Sequence, residues 1–206
     1  MRRAERSDKP LVLEILSRSF DENKSVNHVV KQDAFRKDRI KALMSYSFDV
    51  CFDYGEIWIS NDREGCALVL YTDRKKTTPA SIRQDLQLVF KAIGISRTFK
   101  VLKRESSIKK NHPEDKFMYL WFVGVNPDAQ KKGVGSSILG NIIAMSLKEG
   151  RPIYLETSVM RNLPWYKKFG FEVYKELDLG YTLYLLRRPL KPMRQDLAKQ
   201  VVADSL

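Results

Sequence analysis

Apolar residues recur along this chain with two different periods, and the switches between them mark its elements. Asp8 reads as an N-cap with Pro10 in the first turn, and Leu11, Val12, Ile15 and Leu16 then share one helical face. Residues 21–32 are polar and read as a connection. From about Asp33 the spacing of Ile40, Leu43 and Met44 predicts a second helix, closed near Gly55. The period then drops to two: Glu56 to Ser60 alternates, Asn61 to Gly65 is a turn cluster, and Cys66 to Tyr71 returns as the second strand of a hairpin. Ile82, Leu86, Val89 and Ile93 step by four, three and four, which predicts a helix over 80–93. Ile95, Phe99 and Leu102 suggest a further short helix running toward Lys109, with Pro113 closing it.

The second half is more regular. Phe117 to Val125 is an apolar, aromatic strand expected to be buried on both faces. A loop of turn and basic residues spans Asn126 to Lys132. A helix then starts near Gly133 to Gly135, packs through Ile138, Leu139, Ile142 and Ile143, and ends at Gly150 as C′ residue. Ile153 to Thr157 is a strand, Arg161 to Phe169 a short helix ended by Gly170, and Phe171 to Leu177 with Tyr181 to Leu186 a hairpin through Asp178-Leu179-Gly180. The strand–helix–strand unit implies parallel pairing and the hairpins imply antiparallel pairing. The expected fold is therefore one α/β domain with a mixed sheet over 1–190, followed by a tail, 191–206, of helical spacing and weak apolar content.

Composition narrows the class. In 206 residues, 43% hydrophobic content supplies one full core and argues against disorder. Two Cys alone make neither a disulfide framework nor a tetrahedral zinc site, and two His add little, so no metal is expected. The longest apolar run, Phe117 to Val125, is too short to span a bilayer, and MRRAERSDKP has charge but no apolar stretch behind it. A cytoplasmic protein without a membrane partner is the expectation. Lys and Arg number 37 against 25 Asp and Glu, a net +12 that draws polyanions. No Arg-rich run or basic heptad segment appears, so nucleic acid is not the expected partner.

The chemistry concentrates in VGVNPDAQKKGVGSSIL, residues 123–139. A strand runs into Gln130-Lys131-Lys132-Gly133-Val134-Gly135-Ser136 and then into a helix. Glycines let a ligand approach the backbone, the first-turn amides favour a phosphate, and Lys131 and Lys132 add charge at the same mouth. The Walker order is absent, and the third glycine of a dinucleotide fingerprint is replaced by Ile138. Glu156 sits where a ribose-binding acid would, which keeps a nicotinamide enzyme open, but few strands remain to complete its sheet.

This stretch resembles the acyl-coenzyme A signature of the GNAT superfamily of N-acetyltransferases, in which V-x-V-x-P is followed by Q/R-x-x-G-x-G/A. Val123, Val125, Pro127, Gln130, Gly133 and Gly135 match it. Residues 161–172, RNLPWYKKFGFE, resemble the family's second cofactor segment through Asn162, Tyr166, Lys168, Gly170 and Phe171. The resemblance covers 117–186; the first half agrees in element order only, and the helices at 80–110 read as an insertion before the cofactor strand.

The resemblance implies a GNAT fold, with helices on both faces of a mixed sheet whose parallel β-α-β core is splayed for coenzyme A. It implies acetyl-coenzyme A as acyl donor and direct attack on it by an amine in a ternary complex. Amides among Lys131 to Ser136 would hold the pyrophosphate, and the pantetheine arm would lie between the strands at 117–125 and 153–157. Backbone N–H groups near Val123, Gly124 and Val125 would polarise the thioester carbonyl. Gly124 is compatible with a bulge or a close backbone approach, or with packing under a large aromatic. Tyr166 would protonate the leaving thiolate, with core packing as its plain alternative; Asn162 and Lys168 complete the cofactor set. The base is open. Phe117 to Phe122 carries no carboxylate, which leaves Glu156 (or an ion pair at that site), His112, Glu114, Asp115 or ordered water. Tyr119 and Trp121 would wall an acceptor pocket or fill the core. Residues 112–125 and 155–171 lean toward the antibiotic-modifying, puromycin-type branch, and a small-molecule amine is the expected acceptor. A non-catalytic acyl-coenzyme A binder and a basic nucleic-acid-binding protein stay as alternatives, as do monomer and homodimer.

Overall fold

The computed structural model describes residues 1–113 and 116–190, so Glu114, Asp115 and the tail 191–206 lie outside it. Helix α1 (Lys9–Ser19) buries Val12, Leu13, Ile15 and Leu16, as its spacing predicts. Asp8 stands at its N-cap position but makes no cap bond. Its carboxylate instead accepts from Arg2 through both oxygens, at 2.6 and 2.7 Å, and from the Glu5 N–H at 2.9 Å. Residues 21–32 are not a plain connection. They hold α2 (Lys24–Val29), opened by Asn23, whose side-chain oxygen accepts from the Val26 N–H at 3.1 Å. With only Val26 and Val29 buried, this one-and-a-half-turn helix has too few apolar residues to show a period. Helix α3 (Arg36–Tyr54) begins later than predicted, because Asp33 accepts from the Phe35 N–H and pairs with Arg39 ahead of the helix.

Seven strands form one sheet in the order β1-β2-β3-β4-β5-β7-β6. They are β1 (Arg2–Arg3), β2 (Gly55–Ile59), β3 (Gly65–Tyr71), β4 (Met118–Val125), β5 (Ile153–Thr157), β6 (Glu172–Asp178) and β7 (Thr182–Arg188). Among the described residues only β4 and β5 pair in parallel. Their crossover is α6 (Val134–Glu149), which ends at the left-handed Gly150. On one face α1 and α3 pack against Ile57, Leu68 and Phe122. On the other, α6 and α7 (Leu163–Lys168) pack against Val69, Met118, Leu120 and Leu155. Cys51 and Cys66 are free, fully buried core residues.

Between β3 and β4 lie α4 (Pro79–Leu88), a π turn over Val89–Ile93, and α5 (Thr98–Lys109). Ala92 and Ile93 are buried, but Ile82 and Leu86 are exposed. The wide π turn adds a residue to the winding, so the stripe begun at Ile82 does not continue onto the face that buries Ile93.

Strand β4 is not buried on both faces; its residues alternate between buried and half-buried. A bulge interrupts its pairing with β3: Leu68 opposes Phe122 and Val69 opposes Leu120, leaving Trp121 as the extra residue. The bulge therefore falls at Trp121, not at Gly124. Gly124 serves a close approach, and its neighbour is aliphatic: a Cβ there would stand 2.7 Å from Leu16 Cδ2 on α1.

Candidate active site

The phosphate end is built by backbone. A 3-10 turn (Pro127–Ala129) leads to Gln130, which is extended and donates from Nε2 to the Val125 carbonyl at 3.4 Å. Lys131 (φ 63°) and Gly133 (φ 85°) are both left-handed. A Cβ on Gly133 would meet nothing within 4 Å, so the backbone angle and not the space calls for glycine there. The first bond of α6 runs from the Ser137 N–H to the Gly133 carbonyl at 2.9 Å, which leaves the amides of Val134, Gly135 and Ser136 outside the helix's own ladder. Lys131, Lys132 and Lys168 are exposed. Trp165 Nε1 donates to Ser136 Oγ at 3.0 Å and ties this loop to α7. No spacing rule announces that clamp; only the fold brings Trp165 over Ser136.

The second part is a gap in the sheet. β4 and β5 pair only at Met118 with Ile153 and Tyr119 with Tyr154. Beyond Tyr119 the β5-facing edge of β4 has no strand partner, and its peptide groups are open to a ligand. Val123, Thr157, Val159, Asn162 and Tyr166 line a cavity there. Free amides and lysines at one end and an open strand edge leading from them fit coenzyme A, whose diphosphate is anionic and whose arm carries amides. Tyr166 is buried, with its ring 4.8 Å from Trp165 and 5.6 Å from Phe171. Burial pushes its phenol above the ordinary tyrosine value, so it holds its proton at neutral pH.

Glu156 is the third part. Its side chain is 7% exposed, yet no Lys or Arg pairs with it among the described residues. His112 Nε2 lies 2.8 Å from Oε1, and the Tyr119 hydroxyl donates to Oε2. In sequence His112 and Glu156 are rivals for one role; in space they are partners. Burial, then the Glu156 carboxylate, pushes the Tyr119 phenol well above its usual value, so Tyr119 is a donor here. Arg104 stands nearby, donating to the Tyr181 hydroxyl at 3.0 Å and to Ser25 Oγ at 2.6 Å.

The β4–β5 gap and Glu156 share one cavity of about 460 Å³. It runs from Asn162 and Tyr166 past Glu156 and Tyr119 to a chamber between α3, α4 and α5, walled by Tyr46, Leu88, Val101 and Trp121. The bulge shapes that chamber, because Trp121 and Phe122 both pack toward the α1–α3 side and stack at 5.8 Å. Tyr119 and Trp121 are thus cavity walls and core edge at once. Residues 80–109, which carry no readable motif, supply the chamber's other wall. Among the described residues no cluster of three metal-ligating side chains occurs, and no helix is long and apolar enough to cross a membrane.

Residues 97–173 match the family model of the GNAT acetyltransferase domain. An uncharacterized N-acetyltransferase of Schizosaccharomyces pombe is 39% identical over 74 residues, which is 36% of this chain and 28% of that protein. The match thus spans less than a third of that curated relative. Among solved structures, a histone acetyltransferase HPA2 and related acetyltransferase from Corynebacterium glutamicum superposes with TM-score 0.67 at 20% identity, covering 91% of this chain and 94% of its own. Arylalkylamine N-acetyltransferase 2 from Aedes aegypti superposes with TM-score 0.60 at 17% identity, covering 92% and 98%. At such identities the likeness establishes the fold.

Proposed function

We propose that this chain, which carries a GNAT acetyltransferase domain over residues 97–173, moves an acetyl group from acetyl-coenzyme A to the amine of a small molecule, by direct attack within a ternary complex. The observation that carries this reading is that Glu156, Tyr119 and Tyr166 line the same cavity at the open β4–β5 gap, with His112 bonded to the Glu156 carboxylate.

Acetyl-coenzyme A supplies an acyl group activated as a thioester. The chain must handle two protons. An alkylamine with pKa near ~10 is neutral in only about one molecule in a thousand at pH 7. Glu156, held on one oxygen by His112 and on the other by Tyr119, is the acceptor for the ammonium proton, and His112 is the relay that carries it outward. Tyr166 holds its proton and can give it to the departing sulfur. The open edge of β4 near Val123, Gly124 and Val125 offers amides to the thioester oxygen. Lys131, Lys132, Gly133, Val134, Gly135 and Ser136, with Gln130 shaping the loop, take the diphosphate, with Lys168 and Asn162 beside the arm. A carboxylate is missing from Phe117 to Phe122, which motivates a non-catalytic binder; Glu156 from the next strand answers that gap.

The aromatic chamber between α3 and the inserted helices suits a small apolar amine. Labelled acetyl transfer from acetyl-coenzyme A to an amine panel tests the reading, with Tyr166→Phe as control. A chain that fails to bind coenzyme A overturns it.

A further inference from the structure

The inserted helices leave apolar side chains in water. Ile82, Leu86 and Phe90 follow at i, i+4 and i+8 along α4 and the π turn; Ile95, Phe99 and Leu102 follow at i, i+4 and i+7 into α5. These are six of the ten exposed large apolar side chains among the described residues, with Ile95 at 72% and Phe99 at 81% exposure. Scattered single cases are ordinary, but six on consecutive helices are not. The same segment gathers the chain's charge. Residues 74–110 hold eleven Lys and Arg against Asp85 and Glu105 alone, so +9 of the net +12 lies here. Arg83, Lys91, Lys100 and Lys103 are exposed between the apolar positions.

A surface that is both cationic and apolar selects its partner. A second copy of the chain would bring the exposed Arg83, Lys91, Lys100 and Lys103 against their equals. A nucleic acid would pair with the lysines, and its bases could stack on Phe90 and Phe99, but Ile82, Leu86 and Ile95 would gain nothing from it. An anionic bilayer takes both kinds of group: headgroups pair with the lysines while the aliphatic and aromatic side chains enter the acyl boundary. We infer that the insertion over residues 74–110 seats this protein on an anionic lipid membrane as a peripheral surface contact. Asp85, Leu102 and Glu105 border the cavity on this side, so its edge lies at the headgroup level.

Vesicle co-sedimentation tests this. The full chain is mixed with phosphatidylcholine vesicles, or with the same vesicles containing phosphatidylserine. Two variants are compared, Phe90→Ser/Phe99→Ser and Lys91→Glu/Lys100→Glu, none of these residues lining the cavity. The expected result is binding only with phosphatidylserine, weakened by salt, and reduced by roughly tenfold or more in each variant. Coenzyme A binding and the thermal transition stay unchanged in both, so failure here leaves the acetyl-transfer reading standing. Absence of serine-lipid-dependent binding, or binding by both variants equal to the parent's, overturns the inference. So does tight RNA binding or self-association through Phe90 and Phe99 with no vesicle binding.

Discussion

His112 Nε2 stands 2.8 Å from Glu156 Oε1, across 44 residues of sequence. His112 follows α5 and Glu156 lies on β5, so neither position specifies the other. The pairing explains how a carboxylate persists in a buried strand position with no Arg or Lys beside it among the described residues: its two oxygens are taken by an imidazole and a phenol. Groups that act as a unit lose activity as a unit. Glu156→Gln and His112→Ala are each expected to lower kcat by roughly 10²- to 10⁴-fold, with coenzyme A affinity retained. The double variant is expected to be little worse than the poorer single one. A double-mutant cycle on kcat checks this, and additive losses would separate the two residues.

In the proposed reaction Tyr166 handles the other proton. Its phenol is protonated at neutral pH and its ring is held by Trp165 and Phe171. Tyr166→Phe keeps the ring and removes only the hydroxyl. The expected outcome is a kcat lower by about 10²-fold with an unchanged KM for acetyl-coenzyme A and a melting temperature close to the parent's. A raised KM with normal kcat would make Tyr166 a binding wall instead.

Gly124 separates fold from chemistry. Gly124→Ala drives a methyl into Leu16 Cδ2, and overpacking of this kind costs about 1–3 kcal/mol. Thermal unfolding should then fall by several degrees, and Leu16→Ala in the same chain should relieve part of the clash while adding its own cavity cost. If Gly124→Ala alone melts like the parent, α1 does not press on the strand as described.

Asp8 predicts an acid limb of stability. Arg2, then the Glu5 amide, holds its carboxyl at about 2. A carboxyl depressed in the folded state contributes stability above its unfolded pKa, near ~3.9, and loses it as pH falls toward the folded value. Asp8→Asn should therefore lower the melting temperature at pH 6, and the difference from the parent should shrink between about pH 4 and 2. A constant difference across that range would show that the pair adds nothing.

The second half of the fold was legible because its signals are local. Gly133 and Gly150 stand where left-handed backbone is needed, and Ile138, Leu139 and Ile142 bury one face of α6 as their spacing demands. Motif register is what singles out Tyr166 and the Gly133–Ser136 loop as candidates. What escaped is non-local. The bulge at Trp121 depends on the pairing of β3 with β4, which no single strand shows. The Trp165–Ser136 clamp and the His112–Glu156 pair join distant elements. The apolar spacing of 80–102 does predict helices, but periodicity cannot say whether a stripe meets the core; here much of it meets solvent. Helix α2 fails for the opposite reason, holding too few apolar residues to reveal itself.

In the proposed reaction the open β4–β5 gap and the Glu156 cavity together carry out acetyl transfer. The most direct measurement follows the fate of labelled acetyl-coenzyme A, offered with a panel of apolar primary amines, in the parent chain and in Glu156→Gln, with coenzyme A binding measured in parallel by calorimetry. Label appearing as an amide with the parent, nearly lost in Glu156→Gln while both chains bind coenzyme A alike, is the predicted result. Coenzyme A binding with no amide formed on any amine, or amide formed equally by Glu156→Gln, would contradict it.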